Sequence, residues 1–176
     1  MKSAGARIAP IYDEDYVFQW GKTHYKGKTV LDLGADIGST ADFFLRKGAE
    51  KVIAVEGSEA QFKRLQANAA VLKGVVPVFL FIEHSSQIED LMLQYSFDIV
   101  KTDIEGGEIN LFGIKDEIFS KVPEYLVEVH SDTLYSIMLR KFARNDYKIV
   151  SVNACASPTR IVYARKRQKH VRNSLG

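Results

Sequence analysis

The sequence predicts an α/β fold with a doubly wound, mostly parallel sheet of seven strands that ends in an antiparallel hairpin. Short apolar runs alternate with longer amphipathic segments, which is typical of a parallel sheet covered by helices. The runs are rich in Val, Ile, Leu and Phe, as strands buried on both faces are. The last two runs leave no room for a helix between them, which indicates an antiparallel pair.

The elements alternate in order along the chain. The predicted strands are Thr29–Leu33, Lys51–Val55, Val76–Ile82, Phe97–Thr102, Tyr125–Val129, Tyr147–Val152 and Arg160–Ala164. The predicted helices are Ser39–Lys47, Ser58–Leu72, Gln87–Gln94, Glu108–Phe119 and Asp132–Asn145. The second helix has the clearest pattern because Phe62, Leu65, Ala69 and Leu72 recur at helical spacing. Tyr12, Tyr16, Phe18 and Trp20 predict a further helix that packs over the domain.

Composition and length predict one soluble domain. The chain has 176 residues, of which 46% are hydrophobic and 26% charged, and its formal charge of +2 is too small to indicate a nucleic-acid partner by itself. Its one cysteine, Cys155, excludes an internal disulfide and is predicted to be a buried strand residue. With neither a signal-peptide pattern nor a membrane-spanning apolar run, the chain is expected to be cytoplasmic and not inserted in a membrane.

A glycine loop follows the first strand in VLDLGADIGST. Gly34 and Gly38 let the backbone turn sharply and let a ligand approach closely. The spacing is not the Gly-x-Gly-x-x-Gly of dinucleotide-binding folds, and Asp32 and Asp36 would repel a pyrophosphate. They suit a ligand with a positively charged end, such as the α-amino group and sulfonium of S-adenosylmethionine.

Glu56 ends the second strand in VIAVEGSE. An acidic residue there can accept hydrogen bonds from the ribose hydroxyls of an adenosine moiety. Glu56 follows Asp32 by 24 positions, near the roughly 20-residue offset of that role. The alternative is that these residues only form tight turns. Because both features stand at the ends of strands, cofactor binding is the preferred interpretation.

The chain resembles a known family in LDLGADIGSTADFF, VIAVEGS, FDIVKTDIEGGEINLF and YLVEVH. These stretches are similar to the Rossmann-like class I S-adenosylmethionine-dependent methyltransferases, and more narrowly to the FkbM-like family, whose members mostly methylate hydroxyl oxygens. The most specific part is Lys-x-Asp-x-Glu-Gly-x-Glu followed by Glu-Val-His. The resemblance implies a methyltransferase domain at 28–166. The residues on either side predict an N-terminal helical segment at 1–27 and a basic tail at 167–176.

The resemblance also implies where the cofactor lies. Asp32, Gly34, Ala35, Asp36 and Gly38 would surround its methionine part. Glu56 and Gly57 would hold the ribose, and Glu83 and His84 would lie near the adenine. The chain departs from the family pattern at Asp36, where Asn is usual, and at Gly107, where Ala is usual.

The candidate catalytic residues are Asp103, His130, Glu105 and Lys101. Asp103 and His130 follow neighbouring strands of the predicted sheet, so both are expected in one crevice at the carboxyl ends of the strands. His130 has a suitable pKa for a general base that takes a proton from a hydroxyl acceptor. Glu128, two residues earlier, is expected to orient it. If the strand stays extended, Lys101, Asp103 and Glu105 share one face.

Two other interpretations of the carboxylates remain open. Asp103, Glu105 and Glu108 are oxygen ligands of the kind that Mg²⁺ or Ca²⁺ binds, but their spacing matches no ligand template, so no metal is predicted. Alternatively, Asp103 or Glu105 caps the next helix, and Glu108 lies in its first turn.

The sequence leaves three functions in competition. The first is a methyltransferase that acts on a hydroxyl of a small molecule or glycan. The second is an RNA methyltransferase whose basic tail contacts phosphates, although such a tail is more often solvated. The third is a non-catalytic module that binds the cofactor or a partner through the same crevice.

Overall fold

A computed structural model describes residues 15–155 and 157–168. Its strands are β1 Thr29–Leu33, β2 Lys51–Glu56, β3 Val75–Phe79, β4 Ile99–Thr102, β5 Glu124–Val129, β6 Tyr147–Ala154 and β7 Arg160–Lys166. They form one sheet in the order β3-β2-β1-β4-β5-β7-β6. Strand β7 is antiparallel to β5 and β6, and the other neighbouring pairs are parallel. The predicted fold class, with its terminal hairpin, is confirmed.

The helices connect the strands and cover the sheet. They are α1 Tyr16–Trp20, α2 Ser39–Arg46, α3 Glu59–Ala69, α4 Ser85–Gln94, α5 Ile109–Phe112, α6 Asp116–Phe119 and α7 Asp132–Arg144. Helix α3 begins after Ser58, which is its N-cap, and α7 begins after Ser131, whose hydroxyl accepts the amide hydrogen of Leu134. N-cap serines of this kind satisfy amides that have no partner within the helix.

Two apolar clusters enclose the sheet because successive strand residues point to opposite faces. Leu31 and Leu33 of β1 belong to one cluster, which also contains the stacked rings of Phe119 and Tyr125. Val30 belongs to the other cluster, with Trp20 and other residues. Trp20 is therefore buried on the sheet, as the prediction of a packed N-terminal helix expects. The proposed domain boundaries stay predictions, and Tyr12, Lys169 and Arg172 lie outside the described residues.

The strand order changes direction at β1. Strands β2 and β3 follow it on one side, and β4 and β5 follow on the other. The connections after β1 and after β4 leave toward opposite halves of the sheet. A crevice opens at the carboxyl ends of the strands at such a point, and ligands of open α/β sheets bind there. This topology places the loops after Leu33, Glu56 and Thr102 next to one another.

The predicted single helix over 108–119 is wrong, since α5 and α6 are separate four-residue helices. Gly113 ends α5 where a Cβ would lie 2.3 Å from the Ser85 hydroxyl oxygen. Lys115 is extended, and its amide donates to Glu89 Oε1 at 2.8 Å instead of continuing a helix. A packed neighbour and a side-chain acceptor therefore interrupt a segment whose residues favour one helix.

Other boundaries differ by a few residues. Strand β3 ends at Phe79, so Leu80–Ile82 form a loop instead of the end of a strand. Cys155 follows β6 and is exposed, which corrects its prediction as a buried strand residue. Within the described ranges, no helix is both long and apolar enough to cross a membrane.

Candidate functional site

The crevice at the switch point contains a cavity of about 560 Å³. This volume lies in the range of small-molecule sites, about 300–1,000 Å³. Residues from four loops, the end of β2 and the start of α3 line it: Gly34, Asp36, Val55, Glu56, Gly57, Ser58, Gln61, Leu80, Phe81, Ile82, Asp103, Ile104, Glu105 and Gly107. The cavity therefore joins the predicted cofactor loops to the segment that follows β4.

The glycine turn after β1 packs directly against that segment. Gly34 has φ +77°, and a Cβ there would lie 1.8 Å from the carbonyl oxygen of Asp103. The amides of Gly34 and Ala35 both donate to the carbonyl of Val55. Gly38, with φ +95°, is the N-cap residue of α2. A side chain at Gly34 would separate the two loops, so this glycine is required for their close approach.

Glu56 stands at the end of β2, as predicted, and lines the cavity. Its two carboxylate oxygens accept the amide hydrogens of Asp36 at 2.9 Å and Ser58 at 2.7 Å. Each oxygen keeps a further lone pair, so the carboxylate can also accept hydrogen bonds from a ligand. The two backbone bonds hold Glu56 in place between the loops.

An apolar wall lies beside Glu56 in the cavity, since the Leu80 amide donates to the Glu56 carbonyl at 3.0 Å. Leu80, Phe81 and Ile82 form it, and the side chain of Phe81 is 67% exposed. Gly57 lies against this wall, since a Cβ there would be 2.8 Å from the Phe81 ring. A flat apolar ligand group can lie against this surface.

The predicted adenine contacts, Glu83 and His84, do not line the cavity. The Glu83 and His84 amides both donate to Gln87 Oε1, and His84 is the N-cap residue of α4. Their contact with the adenine stays a prediction, and the chain leaves the sheet at Phe79, so Leu80, Phe81 and Ile82 lie nearer to Glu56. The loop residues that contact the cavity therefore come earlier.

Asp32 is fully buried instead of facing the ligand, which corrects its predicted contact with the methionine part. It accepts a hydrogen bond from the Thr40 hydroxyl at 2.5 Å, and its Oδ1 lies 3.1 Å from Lys101 Nζ. Lys101 is 1% exposed and donates to the Gly34 carbonyl at 2.9 Å. Burial lowers the pKa of Lys101, but the carboxylates of Asp32 and Asp103 outweigh it and raise the pKa above its ordinary value. The Asp32–Lys101 ion pair therefore stabilises the glycine turn through the hydrogen bond from Lys101 to the Gly34 carbonyl.

A second, smaller cavity of about 190 Å³ lies between α1 and the glycine turn. Its lining includes Tyr16 and Trp20 of α1, with Ala35 and Lys101 from the sheet side. Asp103 and Glu105 line both cavities, so they stand where the two meet. This position suits residues that act between a bound cofactor and an acceptor.

His130 completes the carboxylate cluster after β4. Its Nδ1 lies 3.0 Å from Oε1 of Glu108, which is fully buried. Its Nε2 lies 3.8 Å from Asp103 Oδ1 and 3.6 Å from Glu105 Oε2. The predicted juxtaposition of Asp103 and His130 is therefore present. The partner that orients the ring is Glu108, however, and not Glu128.

Glu108 also shapes the turn that holds it. Its Oε1 accepts the amide hydrogens of Ile104 at 3.3 Å and Gly106 at 3.2 Å, and its side chain makes no cap hydrogen bond to α5. Glu105 has φ +52° and is exposed, so it does not cap the helix and does not continue the extended strand. The predicted cap at Glu105 is therefore wrong. Glu108 is the N-cap residue of α5, next to its predicted place in the first turn, but its carboxylate binds the amides of the preceding turn instead of the helix.

The carboxylates of this cluster favour the protonated, positively charged form of His130. Burial lowers the pKa of His130, but the neighbouring carboxylates, Glu108 first, outweigh it and raise the pKa above its ordinary value. Burial raises the pKa of Glu128 to about 7, and the charge of Asp103 adds to that shift. One donor atom each of Asp103, Glu105 and His130 lies within 4.8 Å of the others, a set that could share a cation. The absence of a metal stays a prediction.

Replacing Glu108 by glutamine should lower the pKa of His130. The substitution keeps the shape of the side chain but removes the negative charge next to Nδ1. Titration of the His130 ring proton signals by NMR would measure the shift, with the other histidines as internal references. Glu59→Gln, which changes an exposed residue of α3, is the control and should leave the pKa of His130 unchanged. An unchanged His130 pKa in Glu108→Gln would contradict the assigned partner.

Sequence reasoning missed several residues that line the two cavities. They are Tyr16, Trp20, Ser39, Thr40, Val55, Ser58, Gln61, Leu80, Phe81, Ile82, Ile104 and Gly107. Most are apolar or belong to helices, and their types carry no chemical signature in a sequence. Ser58 and Gln61 lie two and five positions after Glu56, so their proximity to a ribose site was a usable signal.

No family model matches the chain, so the narrower FkbM-like resemblance stays a prediction. Uncharacterized protein 158B of Sulfolobus islandicus rod-shaped virus 1 is 32% identical over 124 residues, which are 69% of this chain and 73% of that protein. Uncharacterized protein 65 of Sulfolobus islandicus filamentous virus (isolate Iceland/Hveragerdi) is 28% identical over 141 residues, 80% of this chain and 84% of that protein. Protein arginine N-methyltransferase PRMT10 of Arabidopsis thaliana is 36% identical over 107 residues, but these are only 25% of the plant protein.

Solved structures share the fold at low sequence identity. The precorrin-6y C5,15-methyltransferase of Geobacter metallireducens has a TM-score of 0.62 at 15% identity, with 81% of each chain covered. A putative RNA methyltransferase of Pyrococcus horikoshii has a TM-score of 0.59 at 16% identity, with 86% of this chain and 80% of that chain covered. Aeropyrum pernix fibrillarin, crystallised with natively bound S-adenosyl-L-methionine, has a TM-score of 0.59 at 14% identity, with 79% of this chain and 66% of that chain covered. The chain therefore has the class I methyltransferase fold.

Proposed function

This chain belongs to the family of protein 158B of Sulfolobus islandicus rod-shaped virus 1, and we propose that it is an S-adenosylmethionine-dependent methyltransferase. The observation that carries the proposal is the meeting of two sets of groups in one crevice. The glycine turn and Glu56 line the crevice together with Asp103 and Glu105. His130 lines neither cavity, but its Nε2 lies 3.8 Å from Asp103 and 3.6 Å from Glu105, directly behind these carboxylates. A cofactor site and an acid–base cluster at one switch point are what such a reaction needs.

The crevice suits the cofactor in shape and chemistry. Glu56 has lone pairs left for two ribose hydroxyls, and the wall of Leu80, Phe81 and Ile82 offers an apolar surface to the adenine. Asp36 and Asp103 present carboxylates to the positively charged end. The fibrillarin of Aeropyrum pernix, which shares this fold, binds the same ligand in its crystal structure.

S-adenosylmethionine supplies a methyl group on a positively charged sulfonium. Transfer is an in-line displacement, so the chain contributes chiefly by holding the acceptor in position. Asp103 and Glu105 stand at the junction of the two cavities and orient an acceptor hydroxyl there. His130, oriented by Glu108, receives the hydroxyl proton at Nε2 when it is neutral. Lys101 keeps the glycine turn in place from beneath the site.

We assign the acceptor atom as a hydroxyl oxygen of a small molecule or glycan. An oxygen acceptor must lose a proton, and His130 with two nearby carboxylates provides for that loss. The FkbM-like resemblance of Lys101–Glu108 and Glu128–His130 points to the same chemistry.

Cofactor binding gives the first test. Isothermal titration calorimetry with S-adenosylmethionine should show saturable binding. Glu56→Ala should weaken that binding at least roughly tenfold, because it removes the carboxylate that accepts hydrogen bonds from the ribose hydroxyls. Glu59→Ala, three residues later on the exposed face of α3, is the matched control and should bind like the wild type. Binding of NAD in place of S-adenosylmethionine would overturn the proposal.

Turnover separates an enzyme from a non-catalytic binding module. Incubation with methyl-labelled S-adenosylmethionine and pooled hydroxyl-bearing metabolites and glycans should transfer label to an acceptor. Cofactor binding without any transfer, to those pools or to RNA, would favour the binding module.

A further inference from the structure

A second concave surface lies at the opposite end of the sheet from the crevice. This groove, of about 1130 Å³, runs along the amino ends of β1 and β5 and the end of β7. Its lining residues are His24, Lys28, Pro123, Glu124, Lys148, Arg165, Lys166, Arg167 and Gln168. Five lysine and arginine residues therefore face one carboxylate. We call this surface the basic groove.

The single carboxylate neutralises only part of this charge. Glu124 Oε1 lies 2.9 Å from Lys28 Nζ and 3.6 Å from Arg165 Nε. Among the residues that the structure describes, no side chain forms a hydrogen bond or ion pair with the charged ends of Lys148 and Arg167, and both residues are exposed. The groove thus carries positive charge that the described part of the protein does not balance.

Strand register brings like charges together. Arg165 of β7 stands opposite Glu124 of β5 on one side and opposite Lys148 of β6 on the other. Like charges directly opposite each other on neighbouring strands destabilise a sheet. The Nε atom of Arg165 makes no hydrogen bond, and its one opposite charge is Glu124 Oε1 at 3.6 Å. An anionic ligand between Lys148 and Arg165 would relieve this repulsion.

We propose that the basic groove binds the phosphate backbone of a single-stranded nucleic acid. The groove is open and its cations are spread over three strands, so an extended polyanion suits it better than one enclosed metabolite. Phosphates of such a chain would cross the end of the sheet, where Lys148 and Arg165 lie on one face and Lys166 lies on the other. The chain beyond Gln168 continues the charge in sequence with Lys169 and Arg172.

The groove contacts phosphates and does not read bases. Its nearby aromatic rings, Tyr147 and Tyr163, are 3% and 2% exposed and lie beneath Lys166 and Arg165. They cannot stack on bases, as the aromatic residues of sequence-tolerant single-strand sites do. A concave group of cations also fits a polymer strand better than the flat surface of an anionic membrane. Binding is therefore electrostatic and falls with salt.

The basic groove is separate from the methyl-transfer crevice. Strand β5 spans six residues between the two ends of the sheet, about 20 Å at roughly 3.3 Å per residue. Nucleic-acid binding there does not depend on the proposed methyltransferase activity.

Fluorescence anisotropy with a labelled oligouridine of about 12 nucleotides tests the groove. The double variant Lys148→Glu and Arg167→Glu should weaken binding at least tenfold at low salt. It should also reduce the slope of log affinity against log salt concentration by about 1.4, since each lost phosphate contact contributes about 0.7. Lys148→Glu places an opposite charge across from Arg165, so its thermal midpoint should equal or exceed that of the wild type.

The matched control is Arg64→Glu with Lys73→Glu. It makes the same charge change with exposed residues near β3, at the other edge of the sheet, and should leave the RNA affinity and salt slope nearly unchanged. Equal effects of the two double variants would overturn the proposal, as would binding to phosphatidylserine vesicles in preference to RNA. S-adenosylmethionine calorimetry on the same proteins should give wild-type values, so failure of the groove and failure of the proposed function remain distinguishable.

Discussion

Replacing His130 by alanine, or Asp103 by asparagine, should lower the methyl-transfer rate by roughly 100-fold or more. His130→Ala removes the nitrogen that receives the acceptor proton. Asp103→Asn keeps the side-chain shape but removes the negative charge that lies 3.8 Å from His130 Nε2. His130→Ala should change S-adenosylmethionine affinity little, because His130 is not assigned to the cofactor. Asp103→Asn should weaken cofactor binding less than it lowers turnover, because Asp36 still presents a carboxylate to the charged end of the cofactor. Single-turnover rates and calorimetry on the same preparations would measure both effects.

Asp90→Asn is the matched control for this pair, because Asp90 is an exposed residue on α4 outside both cavities. It should transfer methyl groups at the wild-type rate. Wild-type turnover in both His130→Ala and Asp103→Asn would show that the cluster does not carry the proton. In the active protein, the raised pKa of His130 implies that turnover rises with pH as the neutral form of the ring becomes populated.

The second large effect is on stability. Lys101→Met should reduce the free energy of unfolding by about 3–5 kcal/mol, because it leaves the carboxylate of Asp32 buried without its charged partner. The substitution also removes the donor to the Gly34 carbonyl, so the glycine turn loses its support. Urea unfolding followed by circular dichroism would measure the loss.

Two companion variants make the Lys101 result specific. Lys115→Met removes a lysine whose side chain is 65% exposed in its pair with Glu89 and should cost less than about 1 kcal/mol. Combining Lys101→Met with Asp32→Leu removes both buried charges and should recover much of the lost stability. A Lys101→Met protein as stable as Lys115→Met would contradict the assigned role of the buried pair.

The buried pair also shows why Asp32 was misassigned. An acidic residue before a glycine loop has the same sequence signal whether it faces a ligand or a lysine. Lys101 lies 69 positions later in the chain, and only the pairing of β1 with β4 brings the two side chains to 3.1 Å. A contact of this kind depends on strand register, which no local pattern contains.

In the Lys101–Glu108 segment, too, some roles followed from the sequence and others depended on the tertiary structure. Its position after a strand predicted that Asp103 would face the crevice near His130, and the geometry places them so. The roles of Glu105 and Glu108 depended on the turn between them. Gly106, with φ +94°, and Glu105, with φ +52°, bend the chain so that Glu108 points back to His130. Left-handed backbone at Glu105 is uncommon for a residue with a side chain, so an extended strand or a helix cap was the more natural expectation.

The sequence by itself determined the layered α/β architecture, the terminal hairpin and the positions of Gly34, Glu56 and Asp103 at the ends of strands. These features follow from local periodicity and from the rule that loops at the carboxyl ends of strands meet. Tertiary structure alone decided that Asp32 is buried, that Glu108 orients His130 and that Phe81 forms the apolar wall. It also brought Glu124, Arg165 and Lys148 into one row across three strands. Each of these contacts joins residues far apart in sequence, and packing and register, which are properties of the whole sheet, determine them.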